Sequence, residues 1–132
     1  MTAAAQARHV LGVVISGRCR DLAEHRAAGF PVFARGHSTL GQSSFVRPSA
    51  VNVPLVVQHQ DSPEGPDAFP VVTVEPGDWI VADEDGVVSV PQSIVDKVIE
   101  KAKIARDIDA RVLEDINAGK GVQVSFKLHR GR

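Results

Sequence analysis

The strongest strand signal near the start of the chain is an apolar, β-branched run over residues 10–15. A continuous run of this kind predicts a strand that is buried on both faces. Gly17 predicts a turn after it, and Asp21 and Glu24 then have the spacing of a capping box, which predicts a helix beginning there and ending at Gly29. Residues 10–29 are therefore predicted to form a strand, a glycine turn and a helix.

Short β-branched or aromatic runs separated by turn residues predict further strands, over residues 30–34, 51–57, 71–74, 79–82 and 87–90. Asp85 and Gly86 between the last two runs are a hairpin signal, and a tight turn is predicted at 76–78. A polar loop over residues 35–49 is long enough to suggest a functional role. Residues 60–69 have loop composition and are predicted to be a surface insertion.

Helical patterns mark both ends of the chain. Residues 1–8 are rich in alanine and resemble the end of a helix. Ser93 and Asp96 have a second capping-box spacing after Pro91, and apolar residues then recur at helical spacing as far as Gly119. This long amphipathic helix requires a partner surface, either the sheet or another subunit. The tail, residues 119–132, contains a short apolar alternation and ends with basic residues.

Length and composition indicate one soluble globular domain over residues 1–132. The hydrophobic fraction is 43% and the charged fraction 23%, both ordinary for globular proteins. A formal net charge of −1 and the absence of tyrosine argue against a nucleic-acid partner. The sequence has no secretory signal, no membrane span and a single cysteine, so we predict a reduced, cytoplasmic location without membrane association.

The candidate chemistry lies at Arg20 and Asp21, between the first strand and the first helix. A guanidinium is suited to bind a carboxylate, and an aspartate oxygen is suited to a hard divalent cation. The residues alone leave two simpler roles open. Asp21 is equally suited to be a helix N-cap, and Arg20 to be a surface residue in an ion pair. Cys19 is predicted to be structural. No zinc-binding histidine spacing is present, and the lysines of the last helix and tail are predicted to be solvated.

Three segments in this order and spacing resemble one family: residues 12–22 (GVVISGRCRDL), 29–36 (GFPVFARG), and 51–54 with 75–91 (VNVP and EPGDWIVADEDGVVSVP). The family is that of regulator of ribonuclease activity A (RraA-like), which includes metal-dependent 4-hydroxy-4-methyl-2-oxoglutarate aldolases. The resemblance covers most of residues 8–118. It implies an α/β fold, a swivelling phosphohistidine-domain-like sandwich of mixed sheet and helices, assembled as a homotrimer or a hexamer with sites at subunit interfaces.

The resemblance also implies an activity. The aldolase members cleave 4-hydroxy-4-methyl-2-oxoglutarate and similar 2-oxo acids to pyruvate and a second keto acid, and they decarboxylate oxaloacetate. Arg20 would then contact the substrate and Asp21 would support Mg²⁺ or Mn²⁺, which with Arg20 would stabilise the charge left by cleavage. Asp107 and Asp109 on the last helix are candidate carboxylates from a neighbouring subunit.

The sequence departs from the family pattern upstream of Arg20. The family has a glycine-containing loop there, which holds the substrate carboxylate, whereas only nineteen residues precede Arg20 and they include no such loop. We therefore expect a truncated or degenerate member of the family, with apolar surface left exposed. The alternatives to a lyase are a protein-binding regulator of RNA processing and an inactive, truncated relative.

Overall fold

The computed structural model describes residues 1–58, 65 and 68–131, which form two compact units, residues 1–89 and 90–132. The first unit contains helices α1 (Thr2–Gln6) and α2 (Leu22–Ala27) and strands β1 to β6, which are β1 (Val13–Cys19), β2 (Val32–His37), β3 (Leu55–Val57), β4 (Val72–Val74), β5 (Trp79–Ala82) and β6 (Val87–Val90). The last residue of β6 belongs to the second unit, which contains α3 (Val95–Asn117) and α4 (Val122–Arg130). Most of the insertion predicted over residues 60–69 lies outside the described residues.

Strands β1 and β2 form a parallel pair around the first candidate motif. Val13 pairs with Val32 at one end and Cys19 with His37 at the other, and the register shifts between Ile15 and Arg18. The glycine turn predicted at Gly17 is therefore wrong, because the strand continues through this glycine as an irregularity in the pairing. The strand also begins three residues later than predicted and is not buried on both faces, since Val13 and Val14 are 37% and 46% exposed.

Neither predicted capping box forms. Asp21 precedes α2 in a left-handed backbone conformation (φ 62°) and makes no side-chain cap hydrogen bond. Before α3, Gln92–Ile94 form a turn of 3₁₀ helix, and the N-cap residue is Ile94 instead of Ser93. The glycine prediction at the end of α2 is confirmed, because Gly29 follows the C-cap residue with a positive φ of 59°.

The remaining strands form two small sheets. Strands β3 and β4 are antiparallel, and Leu55 pairs with Val74. The strand predicted over 51–57 is shorter than expected, because Asn52 has a positive φ of 55° that interrupts an extended backbone. Strands β5 and β6 pair across the predicted turn, which is closed by a hydrogen bond from the amide of Asp83 to the carbonyl of Gly86.

In the second unit, α4 packs against the long helix α3. The apolar alternation of the tail lies within this helix, because α4 spans Val122–Arg130. The buried hydroxyl of Ser125 lies 3.5 Å from the carbonyl oxygen of Val112 and 3.4 Å from Oδ2 of Asp115. Asp115 also contacts Lys120 and His129, so a polar cluster joins the two helices.

The chain buries very little apolar surface. Among the described residues, Phe30 and Val112 are the buried hydrophobic side chains, and the accessible surface of the chain is 11159 Å². A folded protein of this length exposes about 6,700 Å², and two separate units of these sizes would expose only about 8,000 Å². The expected exposure of apolar surface is confirmed, as are the mixed α/β composition and the long C-terminal helix.

Within the part of the chain that the structure describes, no helix has the length and apolar character needed to cross a lipid bilayer.

Candidate functional site

Arg20 and Asp21 connect the carboxyl end of β1 to α2. The β1–β2 pairing ends next to them, where the amide of Ser38 donates a hydrogen bond of 2.8 Å to the carbonyl of Cys19. The carboxyl end of a parallel strand is where α/β proteins commonly bind ligands. The structure therefore brings the two predicted residues together at a location suited to chemistry.

The side chains of Arg20 and Asp21 form an exposed ion pair. Nε of Arg20 lies 3.3 Å from Oδ2 of Asp21, and the side chains are 49% and 53% exposed. An exposed pair of this kind contributes only about 0–1 kcal/mol to stability. Both groups can therefore give up this ion pair and bind a ligand at little cost in free energy.

Asp21 occupies an unusual backbone conformation. Its φ of 62° and ψ of 37° lie in the left-handed region, which few residues other than glycine occupy. Such a conformation costs up to about 1–2 kcal/mol for an L-residue, less for aspartate and asparagine than for most, and the surrounding structure holds it here. Strain of this kind is common at functional sites, and it is the local reason why Asp21 does not act as an ordinary N-cap.

His25, one turn into α2, contacts this segment twice. Its backbone amide donates to the carbonyl oxygen of Asp21 (3.1 Å), and its ring atom Nε2 lies 2.7 Å from the carbonyl oxygen of Arg20. The other ring nitrogen, Nδ1, lies 2.6 Å from Oγ1 of Thr2, a buried residue of α1. Sequence reasoning missed His25 because its contact with Thr2 joins residues that are far apart in the chain.

The long polar loop after β2 returns to Arg20. A Cβ atom added to Gly41 would lie 3.5 Å from Nη1 of Arg20, which is ordinary van der Waals contact. The absence of a side chain at Gly41 leaves the guanidinium room to lie against the loop backbone. Part of the loop predicted over residues 35–49 therefore lies close to Arg20.

Two cavities of the first unit lie away from the Arg20–Asp21 pair. One, of about 670 Å³, is lined by apolar residues of β1 to β6, including Val13, Phe33, Leu55 and Ile80. A second, of about 960 Å³, extends from Arg35 to the β5–β6 turn. Neither is lined by Arg20 or Asp21, so within the described residues these cavities belong to the uncovered sheet surface and not to the candidate site.

The donor set at the candidate site fits a divalent cation only in part. No group of three or more histidine, cysteine, aspartate or glutamate side chains that could hold a metal occurs among residues 1–58, 65 and 68–131. Asp21 can supply one carboxylate ligand. Mg²⁺ commonly accepts one or two carboxylates and completes its shell with water and substrate oxygens. One exposed carboxylate beside a substrate-binding arginine is compatible with that mode.

The other candidate residues lie on α3 and at the end of β1. Asp107 and Asp109 are exposed on α3, where Asp107 lies 3.6 Å from Nη2 of Arg106 and Asp109 lies 2.5 Å from Nη2 of Arg130. Their participation in a site with another subunit stays a prediction. Cys19 is a free thiol of intermediate exposure at the end of β1.

The pKa of Asp115, in the second unit, lies below its ordinary value of 3.8. The main cause is the hydrogen bond from Lys120, followed by that from His129, and partial burial opposes both. The two contacts are short, at 2.6 Å and 2.9 Å. The Asp115 carboxylate therefore joins α3 to α4 through these two contacts.

Comparison with known proteins identifies relatives of this chain. The model of the RraA-like family, described as Aldolase/RraA, matches residues 1–89. A Halalkalibacterium halodurans protein named "Putative 4-hydroxy-4-methyl-2-oxoglutarate aldolase" is 34% identical over 94 residues, which are 71% of this chain and 39% of that protein. An uncharacterized protein of Methanocaldococcus jannaschii is 31% identical over 90% of this chain and 51% of its own length.

A solved structure has the same fold. The crystal structure of an uncharacterized protein from Pseudomonas syringae pv. tomato matches 95% of this chain and 56% of its own, with a TM-score of 0.79 and 30% sequence identity. The chain thus spans about half or less of the length of these relatives.

Proposed function

The chain belongs to the RraA-like family, and from this premise we propose that it supplies the Arg20–Asp21 part of a divalent-metal-dependent lyase site. The proposed substrates are 2-oxo acids of the 4-hydroxy-4-methyl-2-oxoglutarate type, cleaved to pyruvate and a second keto acid, and oxaloacetate, which would be decarboxylated. A relative named as an aldolase of this kind supports the substrate class.

The observation that carries the proposal is the exposed Arg20–Asp21 pair held in a strained turn at the carboxyl end of β1. A carboxylate that only capped a helix would bond to the backbone, and Asp21 makes no such bond. Both side chains are about half exposed, and among the described residues their ion pair is with each other at 3.3 Å, so they remain available to a small ionic ligand.

Arg20 would bind the carboxylate of the substrate. Its planar guanidinium can make two parallel hydrogen bonds to a carboxylate, and such bonds are stronger than those between neutral groups. Binding of substrate would draw Arg20 away from Asp21 and leave the aspartate oxygens free. Substrate and cation would therefore each favour binding of the other.

Asp21 would hold Mg²⁺ or Mn²⁺ as a single carboxylate ligand. The bound cation would supply a Lewis acid for the negative charge that develops on the keto oxygen as the carbon–carbon bond breaks. Arg20 would add a second positive charge on the same side. In the aldol cleavage a base must also accept the proton of the substrate hydroxyl, and a water or a carboxylate near Asp21 is proposed for that role.

The assembled protein is proposed to complete the site. We propose a homotrimer or hexamer in which Asp107 or Asp109 of a neighbouring subunit approaches the Arg20–Asp21 pair. We also propose that the small sheets of the first unit join the swivelling phosphohistidine-domain-like sandwich implied by the family. The exposed apolar faces of β3 to β6 support this, because an uncovered sheet face requires a covering layer.

The test is pyruvate formation from oxaloacetate and from 4-hydroxy-4-methyl-2-oxoglutarate, coupled to lactate dehydrogenase. We expect the chain to be active with Mg²⁺, inactive with EDTA and inactive as the Asp21→Asn variant. A Glu100→Gln variant, which removes an exposed carboxylate of α3 that the proposed site does not include, distinguishes a general loss of charge from loss of the site. Equal turnover with and without Asp21 would overturn the proposal.

A second candidate function is that of a protein-binding regulator of RNA processing. The observation that favours it is the apolar sheet surface around the 670 Å³ cavity, where Leu55 and Val72 are 53% and 44% exposed. A contact surface of this kind does not need Asp21. A complex with an RNA-processing protein that persists in Asp21→Asn and is lost in Leu55→Glu would support this function.

A further inference from the structure

His25 links the Arg20–Asp21 turn both to α1 and to Phe30 just beyond the end of α2. Its backbone amide bonds to the carbonyl of Asp21, its ring bonds to the carbonyl of Arg20, and its own carbonyl accepts a bond of 3.0 Å from the amide of Phe30. Phe30 is one of the buried hydrophobic residues. The histidine therefore ties the Arg20–Asp21 turn to a fixed point of the unit.

The far side of the imidazole is also anchored. Because a carbonyl oxygen can only accept, Nε2 must carry the hydrogen that it shares with Arg20. In the neutral ring, Nδ1 is then the acceptor for the hydroxyl of Thr2, at 2.6 Å. Thr2 is only 3% exposed, so water competes poorly for its hydroxyl. The ring is thereby fixed in one orientation and one tautomer.

We propose that His25 is a positioning residue that holds Arg20 and Asp21 in their reactive arrangement, with Thr2 fixing the ring of His25. This inference rests on the proposed lyase function. The bonds that His25 makes to this segment are to the backbone carbonyls of Arg20 and Asp21 and not to their charged side-chain groups. It acts on the side chains only through the direction of their backbone.

The physical need for such a residue follows from the strain at Asp21. An aspartate in the left-handed region relaxes toward an ordinary conformation unless its neighbours prevent it. The exposed ion pair with Arg20 is too weak to do so. The two bonds from His25 hold the carbonyls on both sides of the strained residue, so rotation at Asp21 must break at least one of them.

The experiment compares wild type with His25→Leu, which removes the ring bonds, and His25→Gln, whose side-chain amide can still donate to the carbonyl of Arg20. Thr2→Val removes only the anchoring hydroxyl. His9→Gln is the matched control, because His9 is an exposed histidine of the same unit. Two quantities are measured on the full chain: exchange of the residue-25 amide by NMR, corrected for intrinsic rates, and kcat and KM for metal-dependent pyruvate formation.

We expect residue-25 exchange to be about fivefold faster in His25→Leu, the factor expected for losing one hydrogen bond of ordinary strength. We also expect its kcat to fall about tenfold or more, as misplacement of reacting groups does. His25→Gln should recover most of both quantities, Thr2→Val should show a smaller change in the same direction, and His9→Gln should resemble wild type.

The outcomes separate this inference from the proposed function. If wild type forms no pyruvate while exchange follows the predicted order, the lyase proposal fails and only the structural effect of His25 stands. If wild type is active and His25→Leu retains both its kcat and its slow exchange, the positioning role is overturned and the lyase proposal stands. A fall in kcat that His25→Gln does not recover would also overturn it.

Discussion

Arg20 and Asp21 are adjacent in the chain, yet Nε of Arg20 lies 3.3 Å from Oδ2 of Asp21. The backbone at Asp21 is left-handed, with φ of 62° and ψ of 37°, and the next residue already begins α2. Neighbours in an extended strand point in opposite directions, so two consecutive side chains can meet only where the chain departs from strand geometry. The turn at Asp21 thus produces the charged pair on which the proposed function depends.

Substitutions at Asp21 should separate strain from chemistry. Glycine adopts the left-handed region without penalty, so Asp21→Gly should raise the free energy of unfolding by about 1 kcal/mol. Asparagine tolerates the same region, so Asp21→Asn should leave stability within about 0.5 kcal/mol of wild type, while alanine should lower it. Urea denaturation of the three variants measures this order. A less stable glycine variant would show that the turn is not strained in solution.

Arg20→Lys should affect substrate binding more than stability. Lysine keeps the positive charge but cannot make the paired, planar contacts of a guanidinium with a carboxylate. We expect KM for the 2-oxo acid to rise about tenfold, which corresponds to about 1.4 kcal/mol of lost binding energy. The free energy of unfolding should change by less than about 1 kcal/mol, because the pair is exposed. An unchanged KM would mean that Arg20 does not contact the substrate.

Gly41 provides a graded test of the space around Arg20. The methyl group of Gly41→Ala would meet Nη1 of Arg20 at 3.5 Å, an ordinary contact, so this variant should keep its KM. The larger side chain of Gly41→Leu would occupy the place of the guanidinium and should raise KM toward that of Arg20→Lys. Steady-state kinetics of the two variants make the comparison. Equal KM values for the Gly41→Ala and Gly41→Leu variants would contradict the proximity of Gly41 to the Arg20 guanidinium.

The α3–α4 pairing should weaken in acid because of Asp115. Lys120 and His129 hold the pKa of Asp115 below 3.8, so in that range the unfolded chain binds more protons than the folded one. The stabilisation is complete above about pH 5 and is lost as the pH falls through about 4 toward the folded pKa. Circular dichroism during urea denaturation at pH 6, 4 and 3 should show the loss.

The controls for this prediction lie on the same helix. Asp115→Asn should be less stable than wild type at pH 6 and should lose less stability on acidification. Asp107→Asn should behave like wild type, because its pair with Arg106 is exposed. Equal acid sensitivity in wild type and Asp115→Asn would assign the effect to other groups.

Sequence reasoning located the elements better than their ends. The hydrophobic pattern identified α3 and the β5–β6 hairpin, because helical periodicity and an Asp-Gly turn are local signals. It misplaced β1, because the uninterrupted apolar run was interpreted as a buried strand and Gly17 as a turn. The structure shows that Gly17 lies within the strand and that Val13 and Val14 are exposed.

The candidate site was predicted in part. Arg20 and Asp21 were identified from their place after a strand, and the structure places them between β1 and α2, where their side chains pair. Their role in a site stays a prediction. Their surroundings could not be predicted, because the contacts from Thr2 through His25 and from Gly41 join residues that are distant in the chain. The left-handed turn at Asp21 could not be predicted either, because an aspartate before a helix ordinarily indicates an N-cap.

The most direct test of the central claim is a titration of the chain with Mn²⁺, followed by electron paramagnetic resonance, with and without oxalate as a mimic of the 2-oxo acid. We predict that wild type binds Mn²⁺ and that oxalate tightens the binding about tenfold, since each ligand releases one member of the Arg20–Asp21 pair. Asp21→Asn should lose Mn²⁺ binding, and Arg20→Lys should keep it with a smaller oxalate effect. Mn²⁺ affinity that is the same in wild type and Asp21→Asn would contradict the account.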